Sequence, residues 1–360
     1  MSSIASAAQT TEPSPRQSDR RAKRPIWPKP IWALIVGARF LMGYATFLRT
    51  AKTPSNAYTD MRRLFRLTNG RSNDVSAFLS RLCHPPYHLP NRAGILGDLS
   101  ESQVANVAEV LRRRGVYVFK TRLPAEICDR LIQFAQHCPA MPIPRPPSGE
   151  TSVRYDRQHW IASKYLLQGQ QLLENPDMQR IVSDFSILAV AQAYLRCRPV
   201  LSSSLMWWST AFSAEASTEA AQLFHFDMSQ IKFLKFFIYL TDVSQTNGPH
   251  SYVVGSHRRL PRELREDRRY RDEEVLRHYT AQRITTITGP RGLIFAADTR
   301  GLHKGAPLHS GDRLILQLQF SNSSFGDDPP HIMINDRFST DLLERIEQLP
   351  RTYCMFSKPS

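Results

Sequence analysis

Between Lys235 and His257 the sequence reads KFFIYLTDVSQTNGPHSYVVGSH. Its first six residues are typical of a buried β-strand, and Asn247-Gly248-Pro249 is typical of a turn. A second short apolar run then leads into a Gly-Ser-His loop. Similar apolar runs on both sides of this stretch predict a series of strands, at Leu201–Phe212, Leu223–Phe226, Lys235–Leu240, Ile284–Thr288, Leu293–Ala297 and Arg313–Phe320.

The first half of the chain has a different pattern. Apolar residues at spacings of three and four predict helices at Ser100–Arg114, Pro124–Ala135, Lys164–Leu173 and Asp177–Leu195. Val116–Phe119 is predicted to be a strand between the first two, and Thr340–Gln348 a last short helix. Helices first and strands later indicate the α+β class, and about eight short strands suit a double-sheet jelly roll.

Composition divides the chain into four parts. Residues 1–28 are rich in Ser, Pro, Thr, Gln and Arg, which predicts a disordered basic tail. Residues 29–95 are predicted to form a helical N-terminal extension. Residues 96–330 hold the predicted jelly-roll domain, and residues 331–360 hold a C-terminal helix and tail.

The net charge of +15 is concentrated near the N-terminus. From Arg16 to Asp74, 13 Lys and Arg stand against 3 Asp and Glu. A basic segment of this kind favours anionic partners, here an anionic membrane surface or an anionic substrate. The sequence predicts no specific nucleic-acid site.

Ile31–Leu48 is the most apolar segment of the basic region, and Arg39 is its only charged residue. A spanning helix needs about 20 mostly apolar residues, and a central arginine costs about 2.5 to 3.5 kcal/mol on insertion scales. The segment is therefore expected to dock on the domain or to lie on a membrane surface, with a spanning helix as the alternative.

The five cysteines are irregularly spaced, and no CxxC pair occurs among Cys83, Cys128, Cys138, Cys197 and Cys354. Such a set predicts neither a disulfide framework nor a zinc site. The first 25 residues are polar and do not resemble a secretory signal. These features favour a reducing, cytoplasmic location, with peripheral membrane association through the basic region.

Phe224-His225-Phe226-Asp227 contains the first candidate for chemistry. In a strand, residues i and i+2 face the same way, so His225 and Asp227 are expected to point together. A lone His-x-Asp pair also occurs as a core hydrogen bond. A functional interpretation of the pair is strengthened by His303, which stands in Gly301-Leu-His-Lys-Gly305 between two predicted strands.

Two imidazoles and one carboxylate on one face of an octahedral Fe(II) leave three positions for a chelating cosubstrate and dioxygen. A chelating 2-oxo acid also needs its far carboxylate held, and the planar fork of an arginine pairs bidentately with a carboxylate. Arg313 follows His303 by ten residues and can return to the same cavity. The same three ligands are also compatible with Mn or Zn in non-oxidative work, although Arg313 favours 2-oxoglutarate.

From about Leu111 to Phe320 the chain resembles the phytanoyl-CoA dioxygenase family. The motifs that carry the resemblance are Arg114-Gly115-Val-Tyr-Val-Phe119 with Leu123-Pro124, the His-x-Asp pair, the block from Leu240-Thr-Asp242 to Gly255-Ser-His257, and His303 with Arg313. The resemblance implies a double-stranded β-helix, the cupin-like form of the jelly roll, flanked by helices.

The resemblance also implies the site and its reaction. Fe(II) is expected on His225, Asp227 and His303, which are thereby the catalytic residues, and the distal carboxylate of 2-oxoglutarate is expected on Arg313. Dioxygen is the oxidant, succinate and CO2 are released, and a C–H bond of a small-molecule or lipid-like substrate is hydroxylated. The sequence does not identify that substrate.

Two positions depart from the family pattern. Many members have Ser two residues after the second iron histidine, where this chain has Gly305, and many have a polar residue where it has Phe226. Neither change removes an expected iron ligand. Because Asp227 is a carboxylate, no place is left for chloride, and halogenation is not expected.

Several neighbouring residues are expected to have structural roles. His257 is expected to order its own loop, and His250 and His309 to be solvated. Lys164 and Lys235 are expected to be paired or solvated, with approach to a carboxylate in the cavity as the alternative. Arg258–Arg271, with seven Arg against three acidic residues, is expected to be a charged surface helix or a lid.

A second functional hypothesis belongs to a different class. The basic N-terminal region and the apolar Ile31–Leu48 are also what a catalytically silent oxygenase fold would need in order to bind a membrane or nucleic acid. The intact ligand pattern counts against a loss of chemistry.

Overall fold

The structure is a computed structural model that describes residues 29–213, 216 and 218–358. The predicted tail at residues 1–28 lies outside the described residues. The domain limits expected after residues 95 and 330 stay predictions.

Ten α-helices lie within the described residues, at Lys29–Thr50 (α1), Ser55–Thr68 (α2), Arg71–Cys83 (α3), Glu101–Arg114 (α4), Ala125–His137 (α5), Gln170–Leu173 (α6), Pro176–Val182 (α7), Phe185–Leu195 (α8), Asp272–Leu276 (α9) and Thr340–Gln348 (α10). The same residues form fifteen strands, at Ala93–Gly94 (β1), Gly97–Asp98 (β2), Val116–Arg122 (β3), Pro139–Ile143 (β4), Val153–Arg154 (β5), Lys164–Gln168 (β6), Val200–Thr210 (β7), Phe233–Tyr239 (β8), His250–Val253 (β9), Ile284–Ile287 (β10), Leu293–Ala297 (β11), His303–Gly305 (β12), Asp312–Ser321 (β13), Ile332–Met333 (β14) and Phe356–Ser357 (β15).

Two antiparallel sheets form the core. The large sheet has eight strands in the order β3-β11-β8-β13-β7-β6-β4-β5, and the small sheet has three in the order β10-β9-β12. Sequence neighbours such as β8 and β9 lie in different sheets, so the chain alternates between the two layers as in a jelly roll. The predicted α+β class with a jelly-roll core is confirmed.

The period of two along the strands decides which side chains face the space between the sheets. On β13 the even-numbered Leu314, Leu316 and Leu318 pack into the cluster that includes the helices α4, α5 and α8. The odd-numbered Ile315 packs instead with Tyr252 of the small sheet. Arg313, two residues before Ile315, therefore faces the inter-sheet side.

The helix predicted at Lys164–Leu173 is wrong in its first half. Lys164–Gln168 is strand β6, which pairs with β7 on one side and β4 on the other. Its central residues Tyr165, Leu166 and Leu167 are all buried. A short apolar run that is buried on both faces lacks a period of two, so its pattern does not distinguish a strand from a helix.

Two other predicted elements differ in detail. The helix expected at Asp177–Leu195 is divided, because the Asp184 carboxylate accepts a hydrogen bond from Ile187 N at 2.9 Å and caps α8. The strand expected at Leu223–Phe226 is reduced to two isolated bridges, Phe224 with Tyr270 and His225 with His303.

The N-terminal helices pack onto the jelly roll. On α1, Phe40 and Phe47 meet the ring of Phe325 edge-on, with centroids 5.5 and 5.3 Å away. On α2, Phe65 stacks on Phe226 at 5.7 Å, directly behind the His-x-Asp pair. The extension and the jelly roll therefore share a hydrophobic core.

A close approach holds α1 to α2, and it generates a matched pair of predictions. A Cβ added at Gly43 would lie 2.2 Å from the Cβ of Ala57, whereas one at Gly37 would meet nothing within 4 Å. Gly43→Ala should lower the free energy of unfolding by about 1 to 3 kcal/mol through overpacking. Gly37→Ala should raise it by about 0.5 to 1 kcal/mol through helix propensity.

Urea denaturation of the two variants measures both effects. Equal shifts in the same direction would show that α1 is not docked on α2 through Gly43.

Candidate metal centre

His225 and His303 face one another across a backbone bridge. His225 N donates to His303 O at 3.0 Å, and His303 N donates to His225 O at 2.8 Å. The two imidazole rings consequently lie with their centroids 4.2 Å apart. Asp227 N donates to Thr299 O at 2.8 Å, which holds the third residue against the same segment. The sequence analysis placed His225 and Asp227 on a strand, but isolated backbone hydrogen bonds hold them instead.

Each histidine has one nitrogen fixed by its own backbone. His225 Nδ1 lies 2.9 Å from Leu223 O, and His303 Nδ1 lies 3.0 Å from Gly301 O, in both cases the carbonyl two residues earlier. A carbonyl only accepts, so each Nδ1 carries the proton and each Nε2 presents a lone pair. This is the arrangement of histidines that bind metals through Nε2.

Asp227 completes a set of three. Its Oδ1 lies 3.8 Å from His225 Nε2, and its Oδ2 lies 3.5 Å from His303 Nε2. One ligand atom from each of the three residues lies within 4.8 Å of the others. Both histidines are less than a tenth exposed, while the Asp227 side chain is 20% exposed, so the set opens on one side.

Lys235 of β8 binds the same carboxylate, with its Nζ 2.9 Å from Asp227 Oδ2. Burial opposes the ionisation of Asp227, but the Lys235 ammonium lowers the pKa of this carboxyl well below its usual range. Burial also lowers the pKa of His225 and of His303. The three residues therefore stand as two neutral imidazoles and one carboxylate, the charge states that bind a divalent metal.

Arg313 lies beside the strand that carries His303. It is 5% exposed, and its Nη2 donates to Ser209 Oγ of β7 at 3.1 Å. Its Nε and Nη1 have no hydrogen-bond partner among the described residues. A Cβ at Gly305, two residues after His303, would lie 3.4 Å from Arg313 Nη2. The guanidinium thus sits beside the β12 backbone that carries His303, with two donor atoms left for a ligand.

His250 is placed differently from the expectation that it is solvated. It is 5% exposed, and its ring stacks on that of His303 with centroids 5.5 Å apart. Burial, His303 and Arg313 all lower its pKa. The sequence did contain an indication that His250 is buried. It stands at the start of the apolar run that ends at Val254, and such a run is typical of a strand that faces the core.

The other neighbouring residues have structural contacts. His257 Nε2 lies 3.0 Å from Arg112 O and so fixes its loop, as expected. Lys164 of β6 is buried, with its Nζ 4.7 Å from the ring centroid of Trp207. His309 is exposed.

Arg258–Arg271 does not form the surface helix that was expected. Within it, the structure has one 3-10 turn at Arg262–Leu264. The segment holds α2 instead: Leu260 N donates to Asn69 Oδ1 at 2.9 Å, and Arg66 pairs with Glu266 at 3.4 Å. Because Tyr270 bridges Phe224, the segment joins the N-terminal helices to the chain next to His225.

A buried ion pair supports the His303 segment. Arg300 Nη2 lies 2.7 Å from Asp298 Oδ2, and Tyr194 OH donates to the same oxygen. Burial opposes ionisation, but the pairing with Arg300 lowers the pKa of Asp298 to about 2. Because Asp298 and Arg300 begin the turn into His303, the pair fixes the backbone that presents this ligand.

Comparison with known proteins identifies a family match. The family model for phytanoyl-CoA dioxygenase (PhyH) matches residues 111–314, which is 204 of the 360 residues. No curated protein matches the sequence.

Solved structures with a similar chain trace include SnoN, EctD and HygX. The epimerase SnoN of nogalamycin biosynthesis is 17% identical, with 66% of this chain and 98% of that chain covered and a TM-score of 0.46. EctD from S. alaskensis, with 2-oxoglutarate and 5-hydroxyectoine, is 16% identical, with 66% and 82% covered and a TM-score of 0.45. HygX from Streptomyces hygroscopicus, with nickel and 2-oxoglutarate bound, is 14% identical, with 68% and 94% covered and a TM-score of 0.43.

The Asp298 ion pair generates a stability prediction. Asp298→Asn leaves the buried Arg300 with only the more distant Asp74 carboxylate, 3.7 Å away, so the free energy of unfolding at pH 7 should fall by about 3 to 5 kcal/mol. Asp328→Asn, at an exposed carboxylate, should change it by less than about 0.5 kcal/mol. Urea denaturation measures both.

The pH dependence follows from the same pKa. The folded value near 2 lies below the unfolded value of about 3.9, so the stabilisation is present at neutral pH and is lost as the pH falls from about 4 towards 2. A difference between wild type and Asp298→Asn that stays constant down to pH 2 would contradict this assignment.

Proposed function

Because the chain belongs to the phytanoyl-CoA dioxygenase family of Fe(II)- and 2-oxoglutarate-dependent oxygenases, we propose that it hydroxylates a C–H bond of a small-molecule or lipid-like substrate at the centre described above. His225, Asp227 and His303 hold the iron, and Arg313 holds the distal carboxylate of 2-oxoglutarate. Dioxygen is consumed, and succinate and CO2 are released.

The observation that carries the proposal is the joint geometry of the three ligands. Two imidazoles with Nδ1 tied to backbone carbonyls and one ionised carboxylate present ligand atoms within 4.8 Å of one another. This donor set, nitrogen and oxygen without sulfur, is the facial triad of non-haem iron oxygenases. When bound, the iron supplies the activation of dioxygen.

Two unsatisfied donors support the cosubstrate assignment. Buried polar groups are nearly always hydrogen-bonded, and leaving one unpaired costs about 1 to 3 kcal/mol. Arg313 Nε and Nη1 are buried and have no partner among the described residues. A carboxylate accepts charge-assisted hydrogen bonds from a guanidinium, and Ser209 Oγ already orients Nη2 of this one.

The chain's own residues prepare the site in three ways. Lys235 holds Asp227 Oδ2 and keeps the carboxylate ionised and oriented. The carbonyls of Leu223 and Gly301 fix the histidine tautomers. Phe226, on the opposite face of the His-x-Asp pair, packs on Phe65 and keeps water from the back of the triad.

The alternative, a catalytically silent fold, is disfavoured by these same contacts. A triad that had lost its chemistry would have no reason to keep both imidazoles neutral and buried beside an ionised carboxylate. Mn or Zn in a non-oxidative role would leave the two free donors of Arg313 without a function.

The first experiment is anaerobic titration with Fe(II) and 2-oxoglutarate, followed by visible absorption. Wild type should develop the weak charge-transfer band of a chelated 2-oxo acid. Asp227→Ala should lose the band because iron is lost, and Arg313→Ala should need about tenfold or more 2-oxoglutarate because a charged hydrogen bond is lost. Arg122→Ala, an exposed arginine on β3, should behave as wild type.

Metal analysis of the same samples separates the outcomes. Wild type that holds iron but shows no band with 2-oxoglutarate would refute the cosubstrate assignment. Wild type that binds no iron while Asp227→Ala behaves identically would refute the ligand assignment.

A further inference from the structure

Exposed large apolar side chains are concentrated on the N-terminal helices. Eleven of the sixteen in the described residues lie between residues 31 and 82. Single exposed apolar residues are ordinary, but a contiguous patch of them marks an interaction surface. Six of the eleven are on α1 and four on α3.

Helix α1 is apolar on both of its faces, although only one is covered. Its inner residues Val36, Phe40 and Phe47 are buried in a cluster with residues of α2 and of the jelly roll. Its outer row of Leu34, Leu41 and Leu48 is 74%, 64% and 67% exposed, and Ile31, Ile35 and Met42 extend this outer face. A helix that is apolar all round is normally buried all round.

Helix α3 buries polar side chains and exposes apolar ones. Its buried face carries Asn73 and Ser80, whose side chains donate to the backbone carbonyls of Ile231 at 2.7 Å and Asn322 at 2.8 Å. Its exposed face carries the apolar stripe Val75, Phe78, Leu79 and Leu82, each more than half exposed. A water-facing helix has the opposite arrangement, so the exposed stripe is built to meet an apolar phase.

Helices α1 and α3 are neighbours at one point of the fold. A small cleft is lined by Phe40 of α1 together with Ser72 and Ser76 of α3. Leu41 follows Phe40, and Leu79 lies one helical turn after Ser76. The exposed residues of α1 and α3 named above are together called the apolar surface, because the two helices meet at this cleft.

We infer that this apolar surface binds the interface of an anionic phospholipid bilayer, with α1 lying in the plane of the membrane. Charge at its margins identifies the lipid class. Arg49, Lys52, Arg71 and Arg81 are exposed at the ends of the helices. Residues 16–28, just before α1, contain five Lys or Arg and one Asp. Apolar residues flanked by basic ones are the pattern of helices that bind anionic membranes.

An in-plane helix fits better than a spanning one. Residues Ile31–Thr50 are long and apolar enough to cross a membrane by length and composition. However, the Arg39 guanidinium lies 3.0 Å from the fully buried carboxylate of Asp60 on α2. A spanning α1 would carry Arg39 into hydrocarbon and leave Asp60 with only Arg63 as a partner.

Sedimentation with vesicles tests this surface. Full-length protein should bind vesicles of phosphatidylcholine with phosphatidylserine, and bind phosphatidylcholine alone much less. Leu41→Glu with Leu79→Glu should weaken binding about tenfold or more, because charged side chains resist transfer to the interface. Leu276→Glu, at a 46% exposed leucine on α9, is the matched control and should bind as wild type.

Three results would overturn the inference. The first is wild type that does not bind the anionic vesicles. The second is equal loss in the control and in the double variant. The third is a soluble dimer, seen by light scattering, that the double variant converts to monomer without a change in vesicle binding. Protein that alkaline carbonate fails to release from vesicles would refute the in-plane arrangement.

A second, independent observation concerns His250. On the small sheet, His250 of β9 is the register partner of Gly305 of β12. Gly305 has no side chain, and it lies beside Arg313 Nη2. The His250 imidazole, stacked on His303 and packed against Phe237 with centroids 5.1 Å apart, is therefore held next to this space.

His250 Nε2 is buried and has no hydrogen-bond partner among the described residues. Arg313 Nε and Nη1 are in the same condition. These three nitrogen atoms belong to two residues that both neighbour Gly305, and a ligand rich in acceptor oxygens would satisfy them.

The geometry points to His250 Nε2–H as a further donor to the carboxylate that Arg313 binds. This assignment rests on the proposed function. Two acceptor oxygens of a carboxylate can receive the arginine fork and one imidazole N–H together.

Anaerobic calorimetry on the iron-loaded protein tests the assignment. His250→Phe keeps the ring shape but removes the donor, so the Kd for 2-oxoglutarate should rise about tenfold while that for Fe(II) stays unchanged. His250→Gln, which keeps a donor, should recover most of the affinity. A 2-oxo acid without the distal carboxylate, such as 2-oxobutyrate, should bind wild type and His250→Phe equally.

The outcomes are distinguishable. Wild type that binds iron but no 2-oxoglutarate refutes the proposed function itself. Wild type and His250→Phe that bind 2-oxoglutarate equally refute only the role of His250. An equal loss for 2-oxobutyrate would place His250 at the metal end of the cosubstrate instead, and would also refute this assignment.

Discussion

The site depends on one pair of backbone hydrogen bonds, between His225 and His303. They join the segment before β8 to strand β12 and bring two imidazoles from distant parts of the sequence to within 4.2 Å. The carbonyls that fix each Nδ1 come from the same two segments, so one bridge determines both the position and the tautomer of the ligands. The buried Asp298–Arg300 pair then holds the turn that leads into this bridge.

Charge in the cavity couples the metal to the cosubstrate. Without ligands, the buried Lys235 and Arg313 exceed the single carboxylate of Asp227 by one positive charge. A divalent metal increases this excess, and a dicarboxylate reduces it. In a low-dielectric pocket such charges interact strongly, so each ligand favours the binding of the other. When no metal is bound, Asp227 is still paired with Lys235, so its carboxylate is not left without a partner.

The sequence could predict what depends on local pattern. The period of two predicted that His225 and Asp227 point the same way, and the ten-residue spacing from His303 predicted that Arg313 returns to the same cavity. The sequence could not predict elements that are buried on both faces, or contacts that depend on strand register. Lys164–Gln168 has no period, so a buried strand was mistaken for a helix, and His250 was expected in solvent because its strand neighbours are set by register alone. The stacking of Phe65 on Phe226 joins residues that no local pattern relates.

Helix α2 connects the two inferences mechanically. One of its faces holds α1 through Ala57 and Asp60, and another places Phe65 behind the His-x-Asp pair. A bilayer that binds the outer faces of α1 and α3 therefore also fixes the orientation of the metal centre relative to the membrane. Such an arrangement suits a substrate that partitions into lipid, because the enzyme then meets it at the interface where it is concentrated. Membrane binding also accounts for the polarity of α3. This helix buries polar side chains against the jelly roll and turns its apolar stripe outward.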